Sequence, residues 1–375
     1  MRIAVFHEVD FGGARKSASE FARGLGKWHD VDYYYVDKEK NPQEVDLIRK
    51  IYFYKFIPKK WTGHDWKAKL YKDTIEVYKL YRLHKNIARD IHTRGYDAVF
   101  VLPSRYTQTP FLLRFLKIPS IYYCQEYLRI VYEKLYSEEL KNFDLYRRTY
   151  EKLNRFMRKQ IDKNNILHAT KILANSKFTK NNIDKAYGIQ STVCYMGVNT
   201  KNFKKANKKK EFDVLFVGSY EKADGYDLFQ NAISMLKPKP KIRELVREKE
   251  WISSLEEMRN IYQKSRILLC LGYKEPFGLA PLEASACGVP IIAVNEGGYK
   301  ESVIHNKNGI LVKRNAKDLA DAIKKLLSNS AMQKRFSNNA TEHVLNFWDW
   351  GVRSAELSSI IQGVVKNSNL SDVKN

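Results

Sequence analysis

The chain has 375 residues, of which 44% are hydrophobic, and it carries a formal net charge of +24. This length exceeds what one hydrophobic core usually serves, so two domains are expected. No apolar run reaches the ~18 residues of a membrane-spanning helix, and the charge favours an acidic partner without choosing among nucleic acid, anionic lipid and an anionic substrate.

Residues 1–196 have the pattern of a doubly wound α/β domain. The segment "RIAVFHEV" predicts a buried strand, Gly12 and Gly13 open an amphipathic helix, and "VDYYYV" predicts the next strand. Strand, glycine turn, helix and strand form the first βαβ unit of such a fold. Further strands are predicted at residues 97–102, 120–125, 171–176 and 191–196.

A lysine-rich linker, residues 197–211, separates this pattern from a second one. Residues 212–346 alternate strands and helices again, with strands predicted at "DVLFVGS", "RILLCLG", "PIIAVNEGG" and "GILVK". Residues 347–375 predict a terminal helix and a polar tail. We therefore expect an α/β protein with two Rossmann-like doubly wound domains, whose carboxyl-end loops face each other across a ligand-binding cleft.

The stretch "EPFGLAPLEASACGVP", residues 275–290, predicts a loop and a short helix after a strand. Gly288 closes the helix, as glycine commonly does at a helix C-terminus. The turn exposes three consecutive backbone amides, those of Phe277, Gly278 and Leu279. Free amides at a helix start can bind phosphate.

Two carboxylates flank these amides. Glu283, in the first helical turn, can accept two hydrogen bonds from a vicinal diol such as ribose. Glu275, on the preceding loop, can accept hydrogen bonds from sugar hydroxyls. Taken with its flanking strands, the pattern favours a nucleotide-sugar site over an ordinary loop with two surface acids.

These residues also resemble a known family. "EPFGLAPLEASACGVPIIAVNEGGYKESVIHNKNGILV" is similar to the donor-binding region of family-4 glycosyltransferases, retaining enzymes of the glycosyltransferase B fold. "DFGGARKSASEFARGL" resembles their first glycine loop, and "ANSKFTKNNIDKAYG" with "CYMGVNTKNF" resembles the segment joining their domains. The resemblance covers most of the chain. It implies a nucleotide-diphosphate sugar donor, retention of anomeric configuration, no metal, and a final helix that returns to the first domain.

The resemblance also implies roles for individual residues. Glu275 would contact the donor sugar and stabilise the developing oxocarbenium charge, and Glu283 would bind the ribose diol. Backbone groups would hold the diphosphate and the sugar, namely those of Phe277, Gly278 and Leu279, together with Gly12 and Gly13 of the first domain and Gly218 at the end of a strand.

The chain departs from the family pattern at the diphosphate. Members usually carry an arginine directly after the strand that ends at Gly218, and a lysine five residues later. Here these positions are Ser219 and Asp224, and Lys222 is the nearest substitute. Charge-assisted hydrogen bonds to phosphate contribute roughly 1.5–3 kcal/mol each. A catalytically impaired relative that binds a nucleotide sugar or a glycan is therefore an alternative.

A second departure concerns the acceptor side. Many members have a histidine after the fourth strand, where this chain has Gln125. Glutamine can hold a hydroxyl but cannot accept a proton at neutral pH. Glu126 is an alternative base, or equally a structural acid. In a front-face retaining mechanism the departing phosphate oxygen can accept the proton.

No metal or further cofactor is expected. The chain has no C-x-x-C pair, and Asp30 and Asp32 flank a predicted strand start, where they are read as solvated. The four cysteines lie far apart and are predicted to be buried thiols: Cys124, Cys194, Cys270 and Cys287. The N-terminus lacks a signal-peptide pattern, so a cytoplasmic location is expected.

Residues 51–85 and 146–163 interleave aromatic side chains with lysine and arginine. This composition suits a membrane interface with anionic lipid. It favours a peripheral hexosyltransferase that acts on a glycan or lipid-linked acceptor in polysaccharide or glycolipid synthesis. Nucleic-acid binding is a second alternative, but it is disfavoured because it leaves the Glu275 motif unexplained and no RNA-recognition or zinc-finger pattern is present.

Overall fold

The computed structural model describes residues 1–9, 12–40, 46–59, 66–250, 252 and 254–372. Asp10, at the start of the predicted glycine loop, and residues 60–65 of the first basic-aromatic stretch lie outside the described residues. The chain forms two compact units. The first consists of Met1–Asn175, Lys180–Cys194 and Ser354–Asn375, and the second of Ser176–Thr179 and Tyr195–Arg353.

The first unit is built on a parallel sheet of seven strands. They are β1 (Arg2–Glu8), β2 (Asp30–Asp37), β3 (Lys50–Lys55), β4 (Ala98–Ser104), β5 (Ser120–Cys124), β6 (Lys171–Ala174) and β7 (Thr192–Val193). Their order is β3-β2-β1-β4-β5-β6-β7. The order reverses beside β1, as in a doubly wound fold. The strand predicted at residues 191–196 is shorter than expected, because only two of its residues pair with β6.

Helices cover both faces of this sheet. They are α1 (Gly12–Leu25), α2 (Trp66–Tyr71), α3 (Val77–His92), α4 (Arg129–Tyr132), α5 (Lys134–Glu139), α6 (Leu145–Ile166) and α7 (Lys177–Tyr187). A π-helical stretch, Lys72–Glu76, joins α2 to α3. Phe21 of α1 packs on Phe100 and Tyr123 in the core, with ring centroids 5.6 and 4.9 Å apart.

The basic-aromatic stretch that begins at residue 51 starts as strand β3, which the sequence analysis does not predict. It pairs with β2 at the edge of the sheet. Tyr52 and Tyr54 stack on the buried Tyr34, with ring centroids 4.6 and 6.3 Å apart. These half-buried rings therefore pack within the unit.

The second unit has a smaller parallel sheet of five strands. They are β8 (Phe212–Gly218), β9 (Ile242–Val246), β10 (Ser265–Cys270), β11 (Ile291–Val294) and β12 (Gly309–Val312), in the order β12-β11-β10-β8-β9. Its helices are α8 (Tyr226–Ser234), α9 (Leu255–Lys264), α10 (Ala280–Ala286), α11 (Tyr299–Ser302), α12 (Ala316–Leu327) and α13 (Ser330–His343). Both predicted α/β patterns are confirmed.

The last helix, α14 (Trp350–Asp372), follows a π-helical stretch at Val344–Trp348. From Ser354 onward it clusters with the first unit. A Cβ at Gly24 would lie 1.9 Å from Ser354 Oγ, so glycine allows α1 and α14 to approach closely. His29 Nε2 and Ser358 Oγ are 2.7 Å apart.

Two expectations from composition are tested directly. All four cysteines are buried thiols that form no disulfide, as predicted. Among the described residues, no helix is both long enough and apolar enough to cross a bilayer.

Candidate functional site

In the second unit the strand order reverses between β8 and β10. Ligands of open parallel sheets bind at such a switch point, beyond the carboxyl ends of the strands. Ser219 follows β8, and Glu275 lies on the loop after β10. The two loops are in contact, because Tyr273 N donates a hydrogen bond to Ala223 O at 2.6 Å.

The backbone at Glu275 is held by the glycine pair that follows β11. Gly298 N donates to Glu275 O at 2.8 Å. A Cβ at Gly297 would lie 2.4 Å from the same oxygen, so a larger residue would push the loop away. On the other side, Pro276 O accepts a hydrogen bond from Ser176 Oγ at 2.6 Å. The loop is therefore fixed before any ligand binds.

Residues 277–279 present backbone groups, while the Phe277 side chain belongs to the core. The Phe277 ring is fully buried and packs on Trp348 at a centroid distance of 5.5 Å. Gly278 has a φ of +81°, which favours glycine. Within the described part of the chain, the amides of Phe277, Gly278 and Leu279 donate no hydrogen bond. Three adjacent donors are thus available to an anion.

The Glu275 carboxylate lies beside Tyr299, which the sequence analysis does not single out. A Cβ at Gly272 would lie 3.4 Å from Glu275 Oε2 and 3.1 Å from the Tyr299 hydroxyl oxygen, so both groups border the same glycine. Burial and, second, the charge of Glu275 raise the pKa of Tyr299. The phenol therefore stays protonated and can donate a hydrogen bond. Its position directly after the glycine pair is the sequence feature that could identify it.

Glu283 lies in α10 and is turned toward α9. It is 9% exposed, and its Oε2 accepts a hydrogen bond from the Tyr262 hydroxyl at 3.1 Å. Burial and the Glu283 charge raise the pKa of Tyr262. The carboxylate is thereby held in one orientation, and Tyr262 is a further residue that sequence reasoning misses.

The structure pairs Ser219 and Asp224, the two positions at which the resemblance implies an arginine and a lysine. Ser219 is fully buried, and its Oγ donates to Asp224 Oδ2 at 2.5 Å. Asp224 ends the short 3₁₀ turn Lys222–Asp224. Lys222 is exposed, and it forms no ion pair with any described residue. Position 224 therefore adds a negative charge beside the switch point, and Lys222 is the cation on the same turn.

A second cation at this edge comes from Arg314, which follows β12. Its Nε donates to Glu296 Oε1 at 2.5 Å and its Nη2 to Gly272 O at 2.9 Å. Its guanidinium also stacks over Tyr273, 5.4 Å from the ring centroid. The sequence analysis does not single out Arg314.

The remaining predicted residues belong to the first unit. Gly12, with a φ of +78°, and Gly13 are exposed at the start of α1. Gln125 follows β5, and its Nε2 donates to Ser17 Oγ of α1 at 2.6 Å. Burial raises the pKa of the neighbouring Glu126, with Glu133 adding to the effect and Arg129 opposing it. The Gln125–Ser17 contact thus links the loop after β5 to α1.

The prediction that Asp32 is solvated is wrong, whereas Asp30 is exposed as expected. Asp32 is fully buried and accepts hydrogen bonds from Arg49 Nε at 2.9 Å and from the Tyr96 hydroxyl at 2.5 Å. Among the described residues, no three His, Cys, Asp or Glu side chains are grouped as metal ligands would be.

Comparison with known proteins identifies the family. Residues 11–202, just over half of the chain, match the model of Glycosyltransferase Family 4. Residues 243–343 match that of Glycosyl transferases group 1.

Curated relatives match over shorter segments. An uncharacterized glycosyltransferase of Methanocaldococcus jannaschii is 29% identical over 201 residues, which cover 48% of this chain and 57% of that relative. The GDP-mannose-dependent alpha-(1-6)-phosphatidylinositol monomannoside mannosyltransferase of Mycobacterium tuberculosis is 39% identical over 90 residues, 24% of this chain and 23% of that relative. The matched segments thus span less than two thirds of these relatives.

A solved structure matches along nearly the whole chain. Sucrose-phosphate synthase from Thermosynechococcus elongatus has a TM-score of 0.74 and 17% identity, over 98% of this chain and 99% of that one. At this identity the likeness shows the fold, and it confirms the predicted glycosyltransferase B fold. Together with the family models, it shows that the chain belongs to glycosyltransferase family 4.

Proposed function

We propose that the protein is a retaining, metal-independent glycosyltransferase of the hexosyltransferase type. It transfers a sugar from a nucleotide-diphosphate sugar to a glycan or lipid-linked acceptor at the cytoplasmic face of a membrane, in polysaccharide or glycolipid synthesis. The observation that carries this proposal is the loop of residues 275–279, where a carboxylate and three available amides meet at the switch point. The family supports it, and so does a relative named for GDP-mannose.

In this proposal, the acceptor hydroxyl attacks the anomeric carbon on the face from which the nucleotide departs. The bond to the diphosphate oxygen breaks as the bond to the acceptor oxygen forms, and the hydroxyl proton passes to the departing phosphate oxygen. Glu275 stabilises the positive charge that develops on the sugar. The amides of Phe277, Gly278 and Leu279 bind the diphosphate, and Glu283 binds the ribose diol.

Lys222 would offset the charge of the departing diphosphate. Its ammonium makes no ion pair with a described residue, so the side chain can reorient toward a ligand. On the first unit, Gln125 would hold an acceptor hydroxyl, and Glu126, whose pKa is raised by burial, is the alternative base.

The proposed membrane contact rests on α6. Its outward side carries apolar side chains that are each more than half exposed: Leu145, Tyr146, Leu153, Phe156 and Met157. Lysines lie along the same helix at positions 152, 159 and 163. The opposite side is anchored, since Tyr150 and Asn154 donate to Asp73 at 2.9 and 3.1 Å. Exposed apolar rings beside lysines fit an anionic membrane surface.

The test is thermal unfolding of the protein with a panel of UDP-, GDP- and ADP-sugars. One nucleotide series should raise the melting temperature of the wild type, and Glu283→Ala should lose most of this shift. Glu275→Gln should keep the shift but cut transfer at least a hundredfold, because its carboxylate acts on the charged transition state. Small and equal effects of the two variants would contradict the assignment.

The impaired-relative alternative is favoured by one observation, the Ser219–Asp224 pair at the position of the family's cations. It predicts a nucleotide-dependent shift with no sugar transfer to any acceptor and no donor hydrolysis. The same panel, followed by release of free nucleotide, separates it from an active enzyme.

A further inference from the structure

The second unit contains a cavity at the amino edge of its sheet, away from the candidate donor loops. Lys210 lies just before β8, Arg266 is the second residue of β10, and Pro290 immediately precedes β11; all three line the cavity. The donor loops follow the other ends of the same strands. Because β8 has seven residues, the two edges are roughly 20 Å apart.

The lining of the cavity is strongly basic. Its charged members are Lys205, Lys208, Lys210, Lys334 and Arg266, and none of the described residues that line it is acidic. Arg266 forms an ion pair with Asp213 at 2.9 Å. In the described part of the chain, none of the four lysines pairs with a carboxylate. Four positive charges thus remain uncompensated in a space of about 400 Å³.

Three of the four lysines are nevertheless held in place by neutral oxygens. Lys210 Nζ donates to Gln263 O and Ser265 O, both at 2.9 Å. Lys205 Nζ donates to Asn338 Oδ1 and Lys208 Nζ to Asn260 Oδ1, both at 2.8 Å. Amide and carbonyl oxygens orient an ammonium group without cancelling its charge. An anion in the cavity would therefore meet several positive charges at once.

A glycine keeps the cavity open. Gly288 has a φ of +74°, and a Cβ at this position would lie 2.9 Å from both Lys205 Cδ and Ser337 Oγ. Any larger residue would occupy the space between the Lys205 side chain and Ser337 of α13. The backbone beside Lys205 is held against α9, because Gln263 Nε2 donates to Lys204 O at 2.7 Å.

We propose that this cavity is a second anion site, which binds a phosphate-bearing ligand at the amino edge of the five-stranded sheet. Several uncompensated cations match the multiple charges of a phosphate or diphosphate better than a single carboxylate. The source of the phosphate is either a free metabolite or the headgroup of an anionic lipid. Neither source uses the residues of the candidate donor site.

The probe is inorganic pyrophosphate, titrated calorimetrically into the full chain. The test variant is Lys205→Gln/Lys334→Gln, and the matched control is Lys317→Gln/Lys324→Gln on α12, which removes the same charge outside the cavity. We expect the test variant to bind at least tenfold more weakly than the wild type, and the control to bind within about twofold of it. Equal affinities of the two variants would overturn the proposal, since pyrophosphate would then bind elsewhere or through net charge alone.

Two further measurements keep the outcome interpretable. The test variant should retain the wild-type melting temperature and any nucleotide-sugar shift, which separates loss of this site from misfolding and from failure of the proposed function. Sedimentation with phosphatidylglycerol vesicles then distinguishes the sources. A lipid headgroup predicts weaker sedimentation of the test variant than of the control, and a free metabolite predicts equal sedimentation.

Discussion

Asp224 occupies a position where the family resemblance implies a lysine. It lies beside the switch point of the second sheet, where Ser219 Oγ donates to it. If the diphosphate binds where we propose, a carboxylate at this position would repel it instead of neutralising its charge. The hydrogen bond from Ser219 fixes the Asp224 carboxylate in place. Rotation of the carboxylate away from the switch point would break this hydrogen bond.

Replacing Asp224 with Asn should therefore tighten nucleotide binding. Asn keeps an acceptor for Ser219 but removes the negative charge, and we expect roughly tenfold higher affinity for the nucleoside diphosphate that the panel identifies. Calorimetric titration provides the measurement, with Asp321→Asn on α12 as the control for net charge. Unchanged or weaker binding would show that Asp224 does not oppose the diphosphate.

Helix α6 has an exposed apolar side and a buried C-terminal turn. Its outward side exposes apolar rings, whereas its last turn is fixed in the core by Asp162. Thr109 Oγ1 donates to Asp162 Oδ1 at 2.6 Å, and the Tyr187 hydroxyl donates to Asp162 Oδ2 at 2.5 Å. Burial nonetheless raises the pKa of Asp162 to about 6, because the hydrogen bonds offset only part of the desolvation of the carboxylate.

This raised pKa predicts a pH dependence of stability. Between the ordinary pKa of 3.8 and about 6, the folded chain binds more protons at Asp162 than the unfolded chain does. The stability contributed by the protonated carboxyl is complete below this window and is lost as the pH rises through it. The urea midpoint of the wild type should therefore fall relative to that of Asp162→Asn over this window and level off above it. A difference that is independent of pH would contradict the assignment.

At the level of elements, the sequence predicts well where apolar runs are continuous. The buried strands β1, β8, β10 and β11 are recognisable because both faces of each are covered. The closure of α10 by Gly288 is also predictable, because a left-handed residue ends the helix.

Edge strands, and contacts between side chains that lie far apart in the sequence, are harder to predict. Strand β3 begins and ends with lysine and is only half buried. Its sequence is therefore typical of an amphipathic surface segment. The approach of Tyr299 to Glu275 joins the first residue of α11 to the loop after β10, and no local pattern encodes it. This contact depends on the register of β10 and β11 and on the backbone at Gly297 and Gly298, which only the folded sheet defines.

For the whole molecule, the net charge of +24 favours anionic partners and does not distinguish anionic membranes from nucleic acids. Electrostatic attraction to either partner is screened over about 10 Å at 0.1 M salt, so salt weakens both interactions. Apolar insertion depends much less on salt. The two partners can therefore be separated by removing exposed apolar area while the charge is kept constant.

The proposed membrane face leads to the last prediction. Phe156→Ser/Met157→Ser should weaken binding to phosphatidylglycerol vesicles at least tenfold, because burial of each side chain in the interface contributes roughly 1.5–3 kcal/mol. Met235→Ser/Leu255→Ser, which removes exposed apolar side chains from the second unit, serves as the control. Co-sedimentation should show the loss at low and at high salt, since the charge is unchanged. Equal vesicle binding by both variants, with binding to RNA at the same salt, would instead favour an electrostatic partner and remove α6 from the membrane contact.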